Sequence, residues 1–315
     1  MGADLLFAVN STLPIFLMIA LGFFLKKIKI LDDGFLSAAN KLNFKVTLPV
    51  LLFTDLAGTD FASTFDLKFF LFCAIVTSIS FFGVWGLARA FMKDRSVIGE
   101  FVQASYRSSA AVLGLALIQN IYGSTGMAGM MMLGCVPLYN IYAVIVLQTE
   151  SPERKEGEHR LRKALLDICK NPIIIAIVLG LISSLIGIDY PEVIDTSLDY
   201  VARTATPLAL ICIGGAFEFS SAKAQIKKSA LAACIKIVIL PLIFVPIAIL
   251  MGFDSEQLVA IFVMLAAPTT PSTYIMARQY GYEGVVTSST VVLTTLFSIL
   301  TLTVFIFALR SLGFI

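Results

Sequence analysis

The stretch Leu265–Tyr274, LAAPTTPSTY, places two prolines and four Ser or Thr hydroxyls inside an apolar run. Pro268 lies about ten residues beyond the start of this run near Leu258, or ~15 Å along a helix. Pro268 and Pro271 lack N–H groups and clash with the preceding turn, so a helix cannot run cleanly through them. A break near the middle of a bilayer must line an enclosed cavity, and its half-helix N-termini attract anions. The plainer alternative is a kinked helix without a site.

A second apolar run, FVQASYRSSAAVLGLALI, carries Arg107, Ser108 and Ser109 near its middle. Hydroxyl groups at a helix break can donate hydrogen bonds to a carboxylate, and an arginine supplies charge. The predicted binding residues on the two runs are Arg107, Ser108, Ser109, Pro268, Thr269, Thr270 and Ser272. Ser and Thr in membrane helices also bond neighbouring backbone, which is the alternative for each hydroxyl.

Basic residues within or near the apolar runs are Lys45, Arg107, Arg203 and Lys236. Such charges are expensive and usually functional, although those near a helix end can reach the interface. Arg107 is the deepest. Lys45 and Arg203 each precede a proline, Pro49 or Pro207, by four residues. We therefore include Lys45, Arg203 and Pro49 among the candidate binding residues, as ligands, gates or partners of nearby acids.

Acidic residues are expected only near the ends of the runs, at Asp55, Glu100, Asp199 and Glu218. A cation antiporter needs a buried carboxylate, so cations without such an acid favour an anionic substrate. Backbone carbonyls at a helix break can still hold sodium. A sodium- or proton-coupled carrier of a neutral or bulkier solute therefore stays an alternative.

The composition is that of an all-α polytopic membrane protein of a cell membrane. Hydrophobic residues make up 58% of the chain and charged residues 14%, against about 25% charged residues in soluble domains, and the mean hydropathy is +0.92. A net charge of +2 predicts no nucleic-acid partner. The cysteines show no metal spacing, the one histidine, His159, lies in a charged loop, and no nucleophile–base pair is evident. We therefore expect no metal, no cofactor, no enzymatic activity and no cleavable signal.

Hydropathy predicts ten transmembrane helices, a number that places both termini on the same side. These are Leu5–Leu25, Leu36–Leu56, Leu67–Leu87, Ile98–Ile118, Gly126–Leu147, Ile168–Ile188, Leu198–Phe217, Ala230–Met251, Leu258–Ala277 and Val285–Leu309. Lys and Arg concentrate in alternate loops and mark the cytoplasmic side. We therefore predict both termini outside and a cytoplasmic loop 148–163, most simply a solvated linker.

The chain repeats at a constant offset of 158 positions, which relates Pro14 to Pro172, Gly22 to Gly180, Lys45 to Arg203 and Pro49 to Pro207. Tyr122-Gly123 and Gly126 match Tyr280-Gly281 and Gly284 in the same register. Each half holds an odd number of spans, so the halves enter the membrane from opposite sides as inverted repeats. We expect repeats at 1–147 and 164–315, separated by the linker 148–163, with broken helices four and nine crossing.

With LNFKVTLPVLLF around Pro49, ARTATPLALICIGG around Pro207 and AAPTTPSTYIMARQYG around Pro268, the chain resembles the auxin efflux carrier family. The resemblance covers essentially the whole chain. The family includes plant PIN-type carriers and bacterial malate and malonate permeases. It implies a fold like that of bile-acid:sodium symporters. It also implies a scaffold at 1–66 and 164–222, often the interface of a homodimer, and a moving transport domain at 67–147 and 223–315.

The fourth helix departs from the family pattern at two positions. Arg107 and Gly114 fit it, but Ser109 stands for an Asn and Ala116 for a Pro. A serine offers one donor where an amide offers two, so the departure bears on which substrate binds.

Taken together, these features predict a secondary transporter that moves a small organic anion, such as a dicarboxylate or an auxin-like acid, by alternating access. The partners are then the anion and the lipid bilayer. A non-transporting membrane sensor of the same fold is a further alternative.

Overall fold

The computed structural model describes residues 2–58, 66–110, 118, 127–152 and 170–315, without the side chains of residues 2–12 and 219. Several features of the sequence lie outside this range: Asp60, Gly114, Ala116, Tyr122, Gly123, Gly126, His159, Cys169 and most of the linker 148–163.

Within the described residues every regular element is helical. The helices are α1 Gly2–Lys27, α2 Asp33–Leu42, α3 Leu48–Ala57, α4 Leu67–Phe91, α5 Ile98–Tyr106, α6 Ala128–Thr149, α7 Pro172–Ile186, α8 Glu192–Gly215, α9 Phe219–Cys234, α10 Leu240–Leu250, α11 Ser255–Ala266, α12 Ser272–Gln279 and α13 Val285–Ser311. Their positions agree with the apolar runs, usually to within a few residues.

Side-chain caps define where several helices begin. Asp32, Asp66 and Asp254 accept hydrogen bonds from backbone N–H groups in the first turns of α2, α4 and α11. Asn171 does the same for α7, which opens with Pro172. A side-chain oxygen at this position satisfies an N–H that has no partner inside the helix, so these boundaries follow from local sequence.

Two prolines coincide with a change of helical hydrogen bonding inside a continuous helix. Pro49 and Pro241 cannot donate to the carbonyls four residues earlier. In each case the residue before the proline bonds a carbonyl five residues back, Leu48 to Asn43 and Leu240 to Ile235. The resulting π-helical segments, Asn43–Thr47 and Ile235–Ile239, join α2 to α3 and α9 to α10.

Among the described residues, four helical stretches are long and apolar enough to cross a membrane. They are Leu67–Phe91, Ala128–Thr149, Ser220–Leu250 and Val285–Ser311, with Pro172–Ile186 and Ser255–Ala266 as shorter apolar helices. Many large apolar side chains on these helices are exposed, including Ile75, Leu242 and Leu300. An apolar outer surface of this kind suits contact with lipid and supports a membrane-embedded protein.

Glycines allow two pairs of helices to approach at backbone distance. A Cβ built on Gly214 of α8 would lie 2.9 Å from Phe23 N of α1, and one on Gly180 of α7 would lie 2.9 Å from Phe53 O of α3. Since Cβ atoms do not approach that closely, these contacts require glycine. Helices α1, α3, α7 and α8 thus form one closely packed group.

Between the middle of α9 and the loop that follows α4, Lys228 donates a hydrogen bond of 2.6 Å to Asp94. This hydrogen bond, helped by one from Ser96, holds the pKa of the Asp94 carboxyl below its ordinary value.

Candidate functional site

Two helices are interrupted where the sequence combines prolines or an arginine with hydroxyl residues. Helix α11 ends at Ala266 and α12 begins at Ser272, with residues 267–271 outside regular helix. Helix α5 ends at Tyr106, and Arg107 has an extended backbone conformation (φ −73°, ψ 140°). Residues 107–109 and 267–271 thus form two non-helical segments, here called the first and second break.

The two breaks contact each other through hydrogen bonds. Ser109 N donates to Pro268 O at 2.9 Å, and Thr269 Oγ1 donates to Ala104 O at 2.7 Å. The hydroxyl of Ser108 lies 3.3 Å from Ala267 O. Each break therefore supplies partners for backbone groups of the other, as buried non-helical backbone requires.

Arg107 is buried beside the breaks, with 2% of its surface exposed. Its Nη2 donates to Asn140 Oδ1 at 2.9 Å and to Ser272 Oγ at 3.0 Å. Its Nη1 lies 3.4 Å from Gln103 Oε1 and 2.9 Å from Met276 Sδ. All of these partners are neutral, and Nε has no hydrogen-bond partner among the described residues.

A cavity of about 60 Å³ lies against Arg107. One wall carries the breaks and α6, and the other carries α3, α7 and α8. Its lining residues are Leu48, Leu51, Leu52, Asp55, Arg107, Ser108, Ser109, Val136, Tyr139, Asn140, Ile173, Ala205, Thr206, Ala209, Thr270, Pro271 and Ser272. The cavity is mostly apolar, with polar groups from the breaks, α3 and α6 converging on it, a composition typical of ligand sites.

The structure brings five of the predicted binding residues to this cavity: Arg107, Ser108, Ser109, Thr270 and Ser272. Pro268 and Thr269 instead lie in the contact between the breaks, where Thr269 N donates to Thr294 Oγ1 at 3.1 Å. Pro49 is buried next to the π-helical segment Asn43–Thr47 and does not line the cavity.

Lys45 and Arg203 do not lie at the cavity. Lys45 is exposed. The Arg203 side chain is 78% exposed and forms an ion pair with Asp199 at 2.8 Å. Residues four apart lie on nearly the same face of a helix, yet Pro49 is buried while Lys45 is exposed. The sequence repeat therefore identified equivalent positions but did not predict where their side chains point.

Sequence reasoning missed Asp55 and Asn140. Asp55 lies near the end of a span, as expected, in the last turn of α3, but it also lines the same cavity as Arg107, which the sequence did not indicate. Asn140 is 3% exposed, and its Oδ1 accepts a hydrogen bond from Arg107. An amide three residues after Pro137 inside an apolar run was the available signal for Asn140.

A second cavity, of about 550 Å³, opens at the protein surface beside the carboxyl ends of α3 and α7. It is lined by Asp189, Asp195 and Asp199. These carboxylates would repel an anion, and the cavity lies away from both breaks. The smaller cavity therefore carries the candidate site.

Comparison with known proteins shows the family of the chain. A family model described as membrane transport protein matches residues 7–306. The chain belongs to this membrane transport protein family. It is the auxin efflux carrier family, which the motifs around Pro49, Pro207 and Pro268 resembled.

Two of the relatives named here match along most of their length, and a third matches along less than half of it. The uncharacterized transporter YfdV of Escherichia coli (strain K12) is 24% identical over 287 residues, 88% of this chain and 90% of the relative. An uncharacterized transporter of Methanothermobacter thermautotrophicus is 21% identical over 298 residues, covering 94% and 96%. A protein of Rhizobium meliloti named "Putative malonate transporter" is 23% identical over 145 residues, 46% of this chain and 45% of the relative.

Proposed function

We propose that this protein is a secondary transporter of a small organic anion, with a carboxylate of the substrate bound beside Arg107 where the two breaks meet. The observation that carries the proposal is the buried Arg107 guanidinium, held by neutral groups with Nε unbonded within the described residues. A buried charge without a charged partner is costly. A carboxylate entering the cavity would pair with it and accept the remaining hydrogen bond.

The second break adds a further attraction for an anion. Thr270, Pro271 and Ser272 lie at the start of α12 and line the cavity. A helix N-terminus carries a partial positive charge. The relative named for malonate supports a carboxylate as the substrate class.

The position of the cavity supports alternating access. Its two walls belong to the segments for which the family resemblance implies a scaffold, 1–66 and 164–222, and a transport domain, 67–147 and 223–315. A volume of about 60 Å³ is far below the ~300–1,000 Å³ of ordinary ligand sites. Substrate binding on this proposal requires the two walls to separate, which exposes the site to one side of the membrane.

The packing of α1, α3, α7 and α8 supports an architecture of ten helices in two inverted repeats. A Cβ on Gly22 would contact Ile211, and one on Gly180 would contact Phe53. Gly22 and Gly180 are related by the offset of 158 positions, and so are Phe53 and Ile211. Equivalent residues therefore make equivalent contacts, as a twofold relation between two halves requires. The crossing of helices four and nine and a homodimer through the scaffold belong to the same proposal.

Uptake of labelled malonate into proteoliposomes tests the site. We expect Arg107→Ala to weaken substrate affinity by about 30-fold or more, since losing one partner of a buried charged pair costs about 2 kcal/mol or more. Arg203→Ala removes the same side chain from an exposed position outside the cavity and should leave uptake close to that of the unaltered protein. Equal uptake by all three proteins would show that Arg107 does not bind the substrate. A greater loss of uptake in Arg203→Ala than in Arg107→Ala would place the binding site at α8 instead.

A second candidate function, proton-coupled transport, is favoured by Asp55. This carboxyl lies on the wall formed by α3, α7 and α8, across the cavity from the wall that carries Arg107. Protonation of Asp55 on one side of the membrane and release on the other would couple substrate movement to a pH gradient. In proteoliposomes, Asp55→Asn should abolish the stimulation of uptake by such a gradient. Full stimulation in Asp55→Asn would reject this role.

A further inference from the structure

Lys236 is a charged residue that the candidate site does not use. It lies in the π-helical segment Ile235–Ile239 and is completely buried. Its ammonium group donates to the backbone carbonyls of Met264, at 3.3 Å, and of Leu265. Lys236 therefore reaches the carboxyl end of α11, immediately before the second break.

The break leaves both of these carbonyls without their usual donors. In an unbroken helix Met264 O would accept from residue 268, but that residue is a proline and has no N–H. Leu265 O would accept from Thr269 N, which donates instead to Thr294 Oγ1 at 3.1 Å. Tyr139 OH shares Met264 O at 3.2 Å. Lys236 thus contacts the carbonyls that the interruption frees.

A helix carboxyl end carries a partial negative charge of about half an electron. In transporters with broken helices, the freed carbonyls and the half-helix carboxyl ends are where Na⁺ binds. An ammonium group carries the same charge as Na⁺ and, like it, is attracted to carbonyl oxygens. The two cations cannot occupy one position, because their charges repel and the space is filled.

We propose that the Lys236 ammonium is a built-in cation at the carboxyl end of α11, occupying the place where a coupling Na⁺ would otherwise bind. The proposal rests on the proposed transport function. It means that sodium does not bind at the second break and that the transport cycle needs no sodium there. Lys236 acts as a positioning residue, since it holds the shape of the break without touching the candidate anion position.

The test measures cation binding through thermal stability, so its outcome does not depend on identifying the transported substrate. The purified protein and its Lys236→Ala variant are melted in detergent with sodium chloride, choline chloride or n-propylammonium chloride at matched ionic strength. Propylammonium corresponds to the atoms that Lys236→Ala removes. A cation that binds only the folded state raises the melting temperature with its concentration.

We expect the unaltered protein to melt at the same temperature in sodium and choline. Lys236→Ala should melt lower in choline and regain about 3 °C in propylammonium or sodium. Lys227→Ala removes an exposed lysine from the same continuous helix and should show neither effect.

Saturable stabilisation of the unaltered protein by sodium would overturn the proposal. It would also be overturned if Lys236→Ala melted like the unaltered protein, or melted lower without any response to propylammonium or sodium. If Lys236→Ala does not fold, the melting temperatures of the unaltered protein in sodium and in choline decide whether the proposal stands. Absence of malonate uptake would count against the proposed substrate and leave this cation measurement intact.

Discussion

At the scale of single residues, burial separates the basic side chains that bond at or beside the two breaks from those that do not. Arg107 and Lys236 are buried, at 2% and 0% exposed, while Lys45 and Arg203 face outward. All four stood within or near apolar runs of the sequence. A charge among apolar residues is thus a signal of function only where the surrounding helices enclose it, because an exposed side chain can keep its head in water or at the interface.

The hydroxyl of Thr269 gives a prediction for the contact between the two breaks. Helix α5 ends too early for Ala104 O to receive its helical donor, and Thr269 Oγ1 supplies the replacement at 2.7 Å. We expect Thr269→Val, which keeps the side-chain shape, to lower stability by about 1–3 kcal/mol, the cost of a buried carbonyl left unpaired. Thermal unfolding in detergent measures it.

Thr303→Val is the matched control for Thr269→Val. Thr303 Oγ1 donates to Ile299 O inside α13, a carbonyl that the helical backbone already satisfies. The control should change stability by less than ~0.5 kcal/mol. Equal losses in the two variants would contradict the assignment of a special role to Thr269.

At the scale of helices, a proline does not by itself decide whether a helix stops. Helix α8 continues through Pro207, and α6 continues through Pro137. The chain leaves the helix at Pro268, where Lys236, Tyr139 and the first break supply hydrogen bonds from elsewhere. The outcome depends on whether neighbouring helices can satisfy the freed groups, since such groups cannot face lipid.

The contact between α1 and α8 gives a prediction at this scale. Gly214 lies against the backbone of Ile19 and Phe23, where an added Cβ has no space. Gly214→Ala should force the helices apart and lower stability by about 1–3 kcal/mol. Gly86→Ala on α4 makes the same change where nothing lies within 4 Å of the added atom. It should be neutral or stabilising by up to ~1 kcal/mol, because alanine favours helix.

Melting temperatures of Gly214→Ala and Gly86→Ala, measured in the same detergent, provide the comparison. A Gly214→Ala protein as stable as the unaltered one would show that α1 and α8 adjust without cost, and that their close packing does not contribute to stability.

At the scale of the whole molecule, the cavity lies between two groups of helices that differ in kind. Helices α1, α3, α7 and α8 pack through glycines at backbone distance, whereas α5, α6 and α11 to α13 surround the breaks with buried hydroxyl and amide groups. A group packed through glycines next to one rich in buried polar groups suits the proposed scaffold and moving transport domain. The motion itself stays a proposal.

The orientation in the membrane gives the prediction for the molecule as a whole. In a protein with Cys169 and Cys234 replaced by serine, Glu192→Cys should react with a membrane-impermeant maleimide on intact cells. Lys27→Cys should react only after the cells are permeabilised. Both native side chains are exposed, and the basic loops are expected on the cytoplasmic side. The reverse pattern would contradict the predicted orientation of both termini outside.

The sequence by itself determined the class of protein and the positions of the helices, and it marked two segments as candidates for an interruption. Apolar periodicity, capping side chains and missing proline N–H groups act over a few residues, and these can be identified along the chain. The sequence also indicated Arg107, because a deep cation is rare.

Only the tertiary structure decided which side chains meet. It brought Asp55 and Asn140 to the cavity, moved Lys45 and Arg203 out of it, and joined Lys236 to carbonyls 28 and 29 residues away. The direction in which a side chain points depends on the packing of whole helices, and small rotations of a helix about its axis change its neighbours. Residues that are close in sequence do not determine that rotation. The partners of each charged side chain are therefore evident only in the tertiary structure.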